Sequence, residues 1–102
     1  MEIEKIYIND DGELNVKPIE NPDTVFRFVY RAAMEVDWND KDQCFKCPKP
    51  RKWTYFDWFK QVVTAVHSEF GLILKVTEAT QWLNIPDTLQ SQICSYKYEK
   101  NT

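Results

Sequence analysis

The stretch from Trp53 to Gly71 constrains the fold more than any other part of this sequence. Thr54 followed by Asp57 has the spacing of a capping box, and Gly71 supplies a natural left-handed stop. Between them, at about 100° per residue, Tyr55, Phe56, Trp58, Phe59, Val62, Val63, Ala65, Val66 and Phe70 fall on one half of a helix. Asp57, Lys60, Gln61, Thr64 and Ser68 fall on the other. One neighbour cannot cover so wide an apolar arc, so this helix is expected to be central. Glu69 breaks the pattern, projecting beside the arc of Trp58, Val62 and Ala65. Either the helix leaves the core at that turn, or Glu69 is a buried acid with a function.

The elements around this helix are read from periodicity and turn chemistry. Ile6 and Ile8 alternate with Lys5 and Tyr7, and Leu14 and Val16 alternate with Glu13, Asn15 and Lys17. The break between them, Asn9-Asp10-Asp11-Gly12, predicts a β-hairpin over residues 2–19, with Pro18 ending an edge strand. The acidic spacing in that turn does not fit a calcium loop. Asn21 and Pro22 read as the cap and first residue of a helix to about Asp37, with Val25, Phe28, Val29, Ala32, Ala33 and Val36 on its buried face and Phe26 and Tyr30 widening it. Arg27, Arg31 and Glu35 form a polar strip on it, read as a solvated edge. Residues 38–53 read as a polar connection in which Pro48 and Pro50 exclude regular helix. Its length suggests a functional or a mobile loop. Leu72 to Val76 reads as a buried strand that could pair with the hairpin, Thr77 to Leu83 as a short helical turn, and Pro86 to about Lys100 as a last helix carrying Leu89, Ile93 and Tyr96. The expected fold is α+β: the N-terminal hairpin and one further strand form a small antiparallel sheet, packed against two main helices and a C-terminal helix. All 102 residues are expected to form one domain.

Composition narrows the function classes. Residues 1–23 hold seven acids against Lys5 and Lys17, whereas residues 44–75 hold six bases against Asp57 and Glu69, so the net charge of −3 hides two opposed segments. An acidic chain argues against general nucleic-acid or anionic-membrane binding. No stretch approaches the roughly 18 apolar residues of a membrane span. Three cysteines, and no apolar leader after Met1, point to free thiols in the cytoplasm.

Gly12 and Gly71 are the only glycines, which excludes a phosphate-cradling loop, a dinucleotide fingerprint and a nucleophile elbow. No cofactor is expected. Cys44-Phe45-Lys46-Cys47 has the spacing of half a zinc knuckle or of a redox dithiol, but no second such pair completes it. The same loop interleaves Lys46, Lys49, Arg51 and Lys52 with Phe45 and Trp53, a pattern that can also grip single strands. Residues 77–98 could form a helix-turn-helix displaying Gln90, Ser91, Gln92 and Ser95, although they lack the basic balance of a DNA binder. His67, the single histidine, lies at the border of the polar and apolar faces of its helix and reads as a structural hydrogen-bonding residue; the alternative is an enzyme using it with Glu69.

Aromatic residues make up 15% of the chain, and rings of this kind are enriched at interface cores. Met34, Trp38, Phe45, Trp53, Tyr96 and Tyr98 are therefore the expected contacts of a non-enzymatic interaction or ligand-binding domain. A homodimer is the expected partner arrangement, with a protein or small molecule as a further partner. In size, in the aromatic run Trp53-Thr-Tyr-Phe-Asp-Trp-Phe59 and in the lack of a catalytic motif, the chain resembles the small orphan proteins encoded by bacterial integron gene cassettes. The resemblance implies a compact dimer and carries over no functional residue.

Overall fold

The computed structural model describes residues 1–97. Strands β1 (Ile3–Ile8) and β2 (Leu14–Pro18) form the expected hairpin, with Ile6 opposite Val16 and Ile8 opposite Leu14. Its turn closes on Asn9, whose side-chain oxygen accepts the backbone N–H groups of Asp11 and Glu13 at 3.1 and 2.9 Å. Gly12 there takes a φ of 78°, which a side chain would disfavour. Ile3, Ile6, Leu14 and Val16 are completely buried.

The structure is α+β, but its sheet is larger than the sequence suggests. Residues 38–53 are not a structureless connection. They contribute β3 (Asp37–Asn39) and β4 (Cys44–Lys46), a second hairpin. Asn39 repeats the device of Asn9, accepting the N–H groups of Lys41 and Asp42, and Gln43 takes a positive φ to finish the turn. Because β4 pairs with β2, the latter is an interior strand rather than an edge. Pro18 is tolerated because it lies beyond the residues of β2 that face β4.

The further strand is β5 (Gln81–Leu83), where a helical turn was expected, and it runs parallel to β1. The sheet order is β3-β4-β2-β1-β5, a mixed arrangement. Leu72 to Val76 forms no strand: it meets the N-terminus through an isolated parallel bridge between Glu2 and Lys75 and a hydrogen bond from the Met1 amino group to the Ile73 carbonyl, and of this run only Leu74 is buried. The turn before β5 is pinned by Thr80, whose hydroxyl donates to the Ile3 carbonyl at 2.6 Å.

Helix α1 (Tyr55–Phe70) matches expectation at both ends. Thr54 and Asp57 exchange the two hydrogen bonds of a capping box, and these hold the Asp57 carboxyl below its usual pKa. Gly71 closes the helix at φ 72°, its N–H donating to the His67 carbonyl. Trp58, Phe59, Val62, Val63, Ala65 and Val66 are buried against the sheet and the other helices. The run expected as a helix to Asp37 is instead a 3-10 helix (Pro22–Arg31), broken near its start where Asp23 and Thr24 take positive φ. The tighter winding brings Phe26, rather than Phe28, to the core beside Val29. Asn21 accepts the N–H of Phe26 instead of capping the first turn. Helix α2 (Asp87–Ser95) buries Leu89 and Ile93 and ends where Tyr96 becomes extended, short of Lys100. No helix among the described residues is long and apolar enough to cross a membrane.

Candidate functional site: a tryptophan cleft

The segment joining β4 to α1 builds a cleft walled by two tryptophans. Its origin is fixed where the Cys47 N–H donates to the Leu14 carbonyl at 2.8 Å, extending the β2–β4 pairing by one bond. Pro48 and Pro50 then stiffen the backbone. The stem of Lys49 lies over the first hairpin turn, where a side chain added at Gly12 would come within 3.4 Å of it. The Tyr55 hydroxyl donates to the Gly12 carbonyl at 2.8 Å, tying the start of α1 to the same turn. The segment is thus held at both ends, and its side chains are displayed from a supported frame.

The resulting cavity, about 420 Å³, is walled by Trp53 and Trp58 together with Glu35, Pro48, Lys49, Arg51 and Lys52. The two indoles pack with ring centres 4.7 Å apart and planes inclined by 51°. Trp53 is 45% exposed, whereas Trp58 is 8% exposed, so one ring is offered to solvent and the other backs it. The Trp58 indole N–H is buried without a hydrogen-bond acceptor. A buried donor left unpaired costs roughly 1–3 kcal/mol. Arg51 meets the Glu35 carboxylate at 3.6 Å in an exposed pair. Neither Lys49 nor Lys52 joins an ion pair among the described residues. The cleft therefore combines an open aromatic face with an excess of positive charge.

The structure scatters the residues expected as contacts. Trp53 reaches the cleft, and Met34, 90% exposed, directly precedes its wall residue Glu35. Phe45 is completely buried, and so turns away from any surface. It packs with Trp38 at 4.9 Å and with Phe26 at 4.9 Å, and Phe70 extends the cluster from α1. Trp38 is half-buried in this cluster, its indole N–H also without an acceptor. Tyr96 lies edge-on to Phe56 and Phe59 and closes the α1–α2 junction. Tyr98 lies outside the described residues.

Other constellations do not assemble. Residues three apart on an extended chain point to opposite faces. Cys44 accordingly lies beside Tyr7 and Asn15 on the face away from the helices, while Cys47 joins the core. Among the described residues no group of three or more His, Cys, Asp or Glu could hold a metal ion. His67 and Glu69 sit two positions apart on α1 and project from different sides. Glu69 pairs with Arg31 at 3.8 Å where the helix leaves the core. Residues 77–83 are a turn and a strand, so the first helix of a helix-turn-helix is not there. The basic loop loses Lys46 to an ion pair with Glu13 and Phe45 to the core. Trp58 was legible only as one more apolar position on α1, and Glu35 only as part of a solvated strip. Their meeting depends on how the 3-10 helix lies against α1.

No curated protein matches the chain. Among solved structures, integron cassette protein Hfx_Cass5, from the mobile metagenome of the North West Arm sewage outfall, is 35% identical over 90% of this chain and 89% of its own, with a TM-score of 0.43. The family model of integron cassette protein Hfx_Cass5 matches residues 2–80, a span that includes every residue of the cleft, and the chain belongs to that family.

Proposed function

We propose that this integron cassette protein is a single, non-catalytic binding domain whose working surface is the Trp53–Trp58 cleft. The observation that carries the reading is the pairing of an exposed indole with a buried one that backs it, in the wall of a cavity of about 420 Å³. Small-molecule sites are commonly apolar clefts of about 300–1,000 Å³ with a few polar groups for orientation. Catalysis by Glu69 and His67 has no geometric support, since the two diverge on α1. Saturation-transfer NMR with a set of flat-ring compounds (2-naphthoate, 2-naphthamide and indole) tests the reading. Transfer to at least one compound should fall about tenfold in Trp53→Ala, whose side chain is too exposed to be needed for folding. Equal transfer in both proteins, or none in either, would overturn it.

The same proposal includes a cytoplasmic homodimer. Free thiols at Cys44, Cys47 and Cys94 suit a reducing compartment. Tyr30, 54% exposed, and Met34 lie four positions apart on and just after the 3-10 helix, an apolar pair suited to covering by a second copy. Light scattering should give twice the chain mass, independent of reductant and reduced to one chain by Met34→Asp. A wild-type monomer at tens of micromolar would contradict the dimer and leave the cleft reading intact.

A further inference from the structure

Resting on the cleft reading above, we infer that the cleft takes a flat ring bearing an anionic group, and that Glu35 competes with that group for Arg51. The ring is dictated by Trp53. Its face is open and backed by Trp58 at 4.7 Å, so a planar ligand stacks on a supported surface. The charge is dictated by the segment Lys49 to Lys52, which places three cations around the cavity of a chain that is acidic overall. Lys49 and Lys52 are already free of ion pairs among the described residues.

Arg51 is the member suited to recognition, because its planar fork matches the two oxygens of a carboxylate or phosphate. It is held only loosely, by one contact of 3.6 Å to Glu35 in which both side chains are more than half exposed. Exposed pairs of this kind contribute little and exchange readily. A ligand anion entering the cleft would replace the Glu35 carboxylate rather than add to it.

A small molecule fits better than a strand of nucleic acid. Strand binding relies on successive exposed rings along a basic track. Here Phe45 is buried, Lys46 is paired with Glu13, and Trp53 alone among the aromatics of the loop is open. Aromatic acids and mononucleotides share the required chemistry.

Calorimetry on the full chain at low salt separates these cases, with 2-naphthoate compared with 2-naphthamide and adenosine monophosphate compared with adenosine. In at least one pair the anion should bind at least tenfold more tightly than its neutral counterpart. The pair that shows this preference identifies an aromatic acid or a nucleotide as the source. Lys52→Ala should weaken the anion several-fold and leave the neutral ring unchanged, and Glu35→Gln should tighten the anion several-fold. Neutral rings binding as tightly as their anions, or no gain in Glu35→Gln, would overturn this inference while the cleft survives as a site. No binding by any of the four would remove both.

Discussion

Cys47 has no exposed surface, and burial pushes its thiol far above the ordinary range. Burial also raises Cys44, against a partial opposing pull from its contact with the Tyr7 hydroxyl. The folded chain therefore keeps both protons at a pH where the unfolded chain releases them. Stability linked to these groups is present below the unfolded thiol pKa of about 8.5 and is lost as pH rises above it. Each such thiol contributes a slope of about 1.4 kcal/mol per pH unit. Urea unfolding between pH 8 and 10.5 should show a decline that is shallower in Cys47→Ala. Equal slopes would contradict the placement of this thiol in the core. The two sulfurs also stand on opposite sides of an extended segment, with Cα atoms about 10 Å apart by strand geometry. That exceeds what a disulfide spans. The CxxC spacing is thus a by-product of strand alternation.

Among the elements, α1 was legible from both of its ends, because caps are local chemistry. Thr54, Asp57 and Gly71 act within one turn of backbone and need no tertiary partner to be recognised. Gly71 gives a clean measure of that chemistry, since a side chain there would meet nothing within 4 Å and only the backbone would be strained. Gly71→Ala should cost about 1 kcal/mol in urea unfolding, and Gly71→Asn less, because asparagine tolerates the left-handed region. An alanine variant as stable as wild type would contradict the assigned stop.

The 3-10 helix and the three short strands were less legible, for physical reasons. Two or three ladder bonds do not impose an alternation long enough to read, and β3, β4 and β5 span three residues each. Only the Asn39 turn between Trp38 and Phe45 signalled the second hairpin, in the same way as Asn9 signals the first. Strand β5 carries no such mark, since its pairing with β1 depends on contacts across most of the sequence. Helical periodicity put Phe28 on the buried face and Phe26 at its margin, whereas the 3-10 winding buries Phe26 completely and leaves the Phe28 ring beneath the guanidinium groups of Arg27 and Arg31.

For the whole molecule, the opposed charges of the two segments are partly answered within the fold. Lys46 reaches Glu13 across the β2–β4 pairing, and the stem of Lys49 lies over the turn that carries Asp10 and Asp11. Three of the bases, Lys49, Arg51 and Lys52, stand around the two indoles of the cleft, where the fold supplies a single acid, Glu35. Much of the aromatic content resolves the same way. The cluster of Phe26, Trp38, Phe45 and Phe70 fastens the 3-10 helix, the second hairpin and α1 together, so those rings serve packing. The Trp53–Trp58 pair stands outside that cluster. The most direct test of the cleft as the working site is the set of four tryptophan indole N–H signals in a ¹H–¹⁵N spectrum, assigned by single Trp→Phe replacements and followed during titration with 2-naphthoate and with adenosine monophosphate. The account predicts that the Trp53 and Trp58 signals move together and saturably with at least one of these ligands, while those of Trp38 and Trp82 stay in place. Movement confined to Trp38 or Trp82, or no movement with either ligand, would contradict it.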